Sequence, residues 1–225
     1  MQLSNLCIAT VDVPEIQHVL QNLIRDGMPV ISVNTDIHNT DRLCYVGPDY
    51  TNEGETATDL ISLITQNKLR ILIATGSFHI RGHNKRINRF IQSLQTKAIS
   101  HIILHTFESL DDDMYAYKQT FAALQKYSTV NCIFITAAGV KDVCKAVQKW
   151  VTASHITKPY ILSFDNIPAT QHLIRKGFID FTICQEPEQQ GYMAVSKLFS
   201  YLMNGKKGKP DDYITSTIIK IRENI

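Results

Sequence analysis

The sequence predicts an α/β protein built on parallel sheets. Three observations carry that expectation. Apolar runs of strand length recur along the 225 residues and stop abruptly at polar ones, as strands buried on both faces do. Between them lie segments whose apolar residues repeat at helical spacing. The two kinds alternate without a break, the order that parallel sheets with crossover helices require.

Taken in order, Leu6 to Thr10 is a short apolar strand. Pro14 opens a helix with Ile16, Val19, Leu20, Leu23 and Ile24 on one face, and Gly27 ends it. Pro29 to Val33 is the next strand and finishes at Asn34-Thr35-Asp36. Cys44 to Val46 follows, then the turn Gly47-Pro48-Asp49 and a helix of about Glu53 to Thr65 with Ala57, Leu60, Ile61 and Ile64 inward. Leu69 to Ala74 is a strand, Thr75 to His83 a loop, and Asn84 to Lys97 a helix with Ile87, Phe90, Ile91 and Leu94 in one stripe. Ile99 to His105 is a strand. Asp111 to Asp113 then sets three carboxylates at a helix start, where the helix dipole favours them. Val130 to Thr136 and Val140 to Val151 are a strand and a helix.

The stretch from Tyr160 to Tyr192 carries the most information. Tyr160 to Phe164 is an apolar run that stops at Asp165; Pro168 begins a short helix and Gly177 closes it; Phe178 to Cys184 is a second run that stops at Gln185. As a strand–helix–strand unit this makes the two runs parallel neighbours. Asp165 and Gln185 then stand at carboxyl ends, where open α/β sheets bind ligands. A helix over Glu188 to Met203 and a last strand over Tyr213 to Ile221 complete the chain.

Composition excludes several classes. A hydrophobic share of 44%, a charged share of 20% and a net charge of +2 describe an ordinary globular protein with no basic face for nucleic acid. The apolar runs are too short to span a membrane. The first residues have neither the charged start nor the long apolar core of a secretory signal. Five cysteines are an odd count with no C-x-x-C pair; four lie within or beside apolar runs and read as buried thiols in a reducing compartment, so the chain is expected in the cytoplasm.

Catalytic motifs are missing. The loop Gly76 to Gly82 has a glycine spacing one residue too long for a P-loop, and His83 and Asn84 stand where Lys and Ser/Thr are needed. The pairs His79/His83 and His101/His105 lack a third ligand, so no metal is expected, and no nucleotide cofactor motif or nucleophile elbow is present. What remains is a set of planar polar groups at strand ends: Asn34, Thr35 and Asp36, Arg86 one turn into its helix, then Asp165 and Gln185. Such groups hold adjacent hydroxyls bidentately, and Phe78 or Phe107 could cover the apolar face of a sugar ring. The alternative from residues alone is that Asp165 and Arg86 cap helices or pair with each other.

The pieces GMPVISVNTD (residues 27–36), CYVGPDYTNEGETA (44–57), FITAAGVKDV (134–143), ILSFDNIP and GFIDFTICQEPEQQGY carry a resemblance. So do the segment 71–90 and the terminal strand ending near Arg222. They look like the effector-binding core shared by lactose-repressor-type transcription regulators and type 1 periplasmic sugar-binding proteins. The resemblance implies two Rossmann-like lobes with the ligand in a cleft: residues 1–47 with 186–208 in a first lobe, incomplete for want of two strand–helix units, and 48–185 with 209–225 in a second. It places ligand contacts at Asn34, Thr35, Arg86, Asp165 and Gln185, with Phe107 as the ring-stacking aromatic, and Asp36 beside Thr35 is kept as a candidate from its strand-end position. Two departures stand out. Ala137-Ala138 replaces the family's Asn-Asp pair, and Arg89 replaces the glycine before Phe90, which implies looser helix packing there.

The function implied is effector sensing rather than catalysis. A sugar or related small polar ligand closes the cleft of a cytoplasmic homodimer and controls operator DNA binding through a headpiece that this sequence lacks. The alternative is the extracytoplasmic sugar-binding receptor of an ABC transporter.

Overall fold

The computed structural model describes residues 4–65, 68–110 and 112–225. Along the chain the elements are β1 (Leu6–Ile8), α1 (Pro14–Arg25), β2 (Val30–Val33), β3 (Cys44–Gly47), α2 (Tyr50–Ile64), β4 (Leu69–Thr75) and α3 (Arg81–Thr96). They continue as β5 (His101–Glu108), α4 (Asp113–Lys126), β6 (Cys132–Ile135), α5 (Val140–Ser154), β7 (Tyr160–Phe164) and α6 (Pro168–Arg175). Last come β8 (Phe181–Cys184), α7 (Pro187–Met203), β9 (Tyr213–Ile214) and β10 (Ile218–Lys220). The expected α/β alternation is observed, in two units, each with its own sheet.

The first unit runs to Asp49 and resumes over Gln185–Thr217. Its four strands lie in the order β1-β2-β3-β9, all parallel. Successive strand residues face opposite ways. Val30 therefore packs with Leu20 and the apolar stripe of α1, while Ile31 packs with Cys44, Val46 and, from α7, Ala194 and Leu198.

The second unit comprises Tyr50–Cys184 and Ile218–Ile225. Its six strands lie in the order β10-β8-β7-β6-β4-β5, parallel except for β10, which runs antiparallel to β8. Ile71, Ile73, Cys132, Phe134, Leu162 and Phe164 face a core shared with α2 and α3. Leu72, Ala74, Ile133, Ile135 and Ile161 face the opposite core, shared with α4, α5 and α6. Helices on both faces make this a doubly wound sheet. The helices α2 and α3 approach closely because Gly54 has no side chain: a Cβ there would meet the Arg86 carbonyl at 2.4 Å and the Phe90 amide at 3.0 Å.

Three expectations are corrected. The single last strand over Tyr213 to Ile221 is two strands, β9 in the first sheet and β10 antiparallel in the second. The reason is register: Tyr213 and Ile214 pair with Val46 and Gly47, which keeps the chain in the first unit through Thr217. Helix α3 begins at Arg81 rather than Asn84. The packing beside Arg89 is tight, not loose, since the glycine that permits close approach lies on the facing helix and Arg89 Nη2 pairs with Glu55 at 2.7 Å. Of the three carboxylates expected before α4, Asp111 lies outside the described residues, and Asp112 is the cap, accepting from the Tyr115 amide at 2.7 Å.

Candidate functional site

In the second sheet the chain leaves β4 for β5 on one side and then crosses to β6 on the other. That reversal is the switch point at which a doubly wound sheet opens a crevice beyond its carboxyl ends. Thr75 closes β4 and Thr136 follows β6; both are fully buried, and their hydroxyls bond at 3.0 Å.

Arg86 brings its guanidinium to this point. Nη1 donates to the Thr136 carbonyl, and Nε and Nη2 donate to one oxygen of Glu53 at 3.1 and 2.7 Å. The Phe164 ring lies 3.5 Å from its Cζ and the Tyr50 ring 5.0 Å. Two aromatic faces therefore fix the plane, and Glu53 with Thr136 fixes the rotation within it. Three of the five N–H groups are used by these bonds. The residue is only 1% exposed.

The chain before Arg86 is built to set this helix in place. Glu108, at the end of β5, accepts from Ser77 Oγ at 3.1 Å and from the Phe78 amide at 2.6 Å. Asn84 Nδ2 donates to the Phe78 carbonyl at 2.6 Å. Gly82, the second glycine of the loop that superficially suggests a phosphate cradle, has a packing role. A Cβ there would lie 2.6 Å from the Tyr50 ring that flanks Arg86. His83 has its Nδ1 buried without a hydrogen-bond partner among the described residues. Burial, with Arg86 nearby, pushes its pKa down to about 4, so the ring is neutral at pH 7.

Asp165 stands on the same edge, one residue beyond Phe164. Its φ of 70° places it in the left-handed region, which Asp and Asn tolerate better than other side chains. The parallel ladder holds it there: its amide donates to the Ile183 carbonyl at 2.9 Å, and its own carbonyl accepts from Thr182 Oγ1 at 3.2 Å. Asn34 has the same left-handed backbone, at φ 61°, just past the end of β2. Strained residues of this kind past strand ends are where binding groups concentrate.

The other expected site residues divide. Asn34, Thr35, Asp36 and Gln185 belong to the first unit, and Arg86, Phe107 and Asp165 to the second. Asn34 is exposed, and its carbonyl accepts from the Tyr45 hydroxyl at 2.7 Å. Thr35 is half-buried. Gln185 follows β8, its carbonyl accepting from Gln190 Nε2 at 2.7 Å. Asp36 is committed to its own loop, accepting from Arg42 Nε and Nη2 at 2.5 and 2.8 Å, from Ser32 Oγ at 2.9 Å and from the Ile37 amide at 2.9 Å. Burial pushes its carboxyl up, but the bonds from Arg42 and Ser32 outweigh that and hold it below the ordinary value.

Phe107 is not placed to stack on a ligand. It is 5% exposed and packs on the α4–α5 face of the sheet, while Ile87 and Phe90 of α3 pack on the other. The aromatics beside the polar groups are Phe164 and Tyr50. The alternative pairing of Arg86 with Asp165 is likewise replaced by Arg86–Glu53. Glu53 left a signal in the sequence: it falls four residues before Ala57 and eight before Ile61, inside the buried stripe of α2, where a carboxylate requires a cation. Ala137, after β6, is buried and brings no polar side chain.

No group of three or more His, Cys, Asp or Glu among the described residues could hold a metal ion. His101 Nδ1 is engaged with the Ile99 carbonyl at 2.7 Å, and His105 stacks against Phe107. All five cysteines are unbridged, and burial pushes the Cys44 and Cys184 thiols up to about 11 and Cys144 to about 12.

Residues 4–207 match the family model described as a periplasmic binding protein domain. The chain belongs to that family. Its members are binding proteins rather than enzymes, which accords with an edge of hydrogen-bonding groups. Among solved structures, the glucose-galactose binding protein GanP from Geobacillus stearothermophilus is 26% identical, with a TM-score of 0.88 over 100% of this chain and 78% of that one. A solute-binding protein of an ABC transporter from Burkholderia graminis C4D1M, solved with D-arabinose, is 20% identical, with a TM-score of 0.88 over 99% and 76% of the two chains. The XylFII–LytSN complex gives 20% identity and a TM-score of 0.88 over 99% and 78%. The last two likenesses are of fold. No curated protein matches the chain.

Proposed function

We propose that this chain is the sugar-binding receptor of an ABC transport system, working outside the cytoplasm. The observation that carries the reading is the fixed guanidinium of Arg86 at the switch point, with Asp165 beside it on the same edge. A donor-only group whose plane is fixed and an acceptor-only group on a backbone held by the ladder match the vicinal hydroxyls of a sugar, each of which donates and accepts. The likeness to a glucose-galactose binding protein at 26% identity over the whole chain supports a sugar in particular.

The regulator reading keeps one observation in its favour. Five unbridged cysteines, four of them buried, suit a reducing compartment better than an exported protein. In that reading the same sugar is an effector, and operator binding, a homodimer and a cytoplasmic location follow.

Calorimetry of the chain against glucose, galactose, arabinose, xylose and ribose tests the shared core of both readings. One neutral sugar is expected to bind stoichiometrically and to raise the melting temperature by mass action. Silence across the panel overturns the sugar reading. Fractionation of cells producing the natural protein separates the two: recovery outside the cytoplasmic membrane supports the receptor, and recovery in the cytosol supports the regulator.

A further inference from the structure

Glu53 is a fully buried carboxylate that lies at the edge without being a strand-end group. Its bonds to Nε and Nη2 neutralise Arg86 from inside the unit, while Phe164 and Tyr50 hold the guanidinium plane. The N–H groups that Arg86 keeps in reserve are therefore directional donors with no charge to give away. We propose that Glu53 is the positioning residue that sets the charge class of the ligand, so that this edge takes a neutral sugar and rejects the corresponding sugar acid. The inference rests on the sugar-binding reading above.

The electrostatics follow from the groups present. Arg86 contributes one positive charge, and Glu53, its ion-pair partner at 2.7 Å, one negative charge. His83, its pKa pushed down to about 4, adds none at neutral pH. A ligand carboxylate entering here becomes a second anion beside a cation that Glu53 already pairs. A like charge brought against the desolvated Glu53–Arg86 pair is repelled at a cost that water relieves little. A hydroxymethyl group or a hydrogen in the same place meets no such cost.

The test is a matched panel on the full chain by calorimetry at neutral pH. Glucose and xylose are compared with glucuronate, and galactose and arabinose with galacturonate, so that each pair shares its ring configuration. For the wild type, the preferred neutral sugar is expected to bind at least a hundredfold more tightly than its matched uronate. In Glu53→Gln, which keeps the shape and leaves Arg86 charged, that ratio is expected to fall at least tenfold. A merely structural Glu53 would lower both affinities together and leave the ratio unchanged. An unchanged ratio in folded Glu53→Gln overturns the proposal. If that variant does not fold, the wild type still decides, since a uronate bound within tenfold of its neutral partner overturns the proposal by itself. A wild type that binds neutral sugars without discrimination thus sinks this inference alone. One that binds no sugar sinks it together with the sugar reading.

Discussion

Arg86 donates from both Nε and Nη2 to a single oxygen of Glu53, at 3.1 and 2.7 Å, across the packed helices α2 and α3. Both side chains are almost wholly buried, 2% and 0% exposed. A pair of this kind is tolerated because each charge has the other and because Thr136 and Phe164 complete the environment of the cation. It ties two helices to the carboxyl edge of a sheet that neither could reach with a short side chain.

Breaking that pair leaves a buried charge uncompensated. Glu53→Ala is expected to destabilise the protein by about 3–5 kcal/mol, the usual cost of removing one partner. Replacing both with apolar residues, Glu53→Leu with Arg86→Met, is expected to recover most of it. Urea unfolding of the three proteins measures this, and a double variant no more stable than Glu53→Ala contradicts it.

Asp165 is expected to matter for binding and little for folding. Asp165→Ala should weaken binding of the preferred neutral sugar more than tenfold, matching about 1.5–3 kcal/mol for a lost charged hydrogen bond. Its left-handed backbone predicts that Asp165→Gly folds at least as well as the alanine variant. Calorimetry and a melting curve on each variant read the two effects separately.

The Asp36–Arg42 pair makes stability fall in acid. The Asp36 carboxyl is held below its ordinary value, so its contribution is complete above the unfolded-state value near ~3.9 and is lost as pH falls through the lower folded value. Arg42→Ala removes the main partner and should flatten that part of the acid limb. Denaturant midpoints taken from pH 5 down to pH 2 compare the two, and parallel curves would refute the assignment.

Gly54 is expected to tolerate no side chain. With a Cβ only 2.4 Å from the Arg86 carbonyl, Gly54→Ala must push α2 off α3 at a cost of about 1–3 kcal/mol for overpacking. A helix-propensity gain acts the other way by up to ~1 kcal/mol. A melting temperature equal to or above that of wild type would show that the helices move apart freely.

The thiols should react in order of burial. Cys7 is half-buried, whereas Cys44, Cys132, Cys144 and Cys184 are buried and their pKa values raised by that burial. Iodoacetamide at pH 8, followed by mass spectrometry, is expected to label Cys7 first and the rest only on unfolding. Early labelling of Cys132 would contradict the packing of the second sheet.

The sequence by itself determined the α/β class and the residues that end the strands. Alternation of short apolar runs with helical stripes reports which residues are buried locally, and an abrupt polar stop marks a carboxyl end. Asn34, Asp165 and Gln185 were legible as strand-end groups on that ground, whereas Arg86 lies within helix α3. Only the tertiary structure decided what those residues touch. Arg86 meets Glu53, 33 positions away, because α2 and α3 pack side by side, a fact of sheet order that periodicity does not encode. Phe107 turned to the core because β5 runs on to Glu108, past the expected end at His105, and sets Phe107 opposite Ala74 in register. The final stretch divided between two sheets because Val46 and Cys184 each offered an open ladder position. Local burial is written in the spacing of residues; long-range partnership is settled only when the strands choose their neighbours.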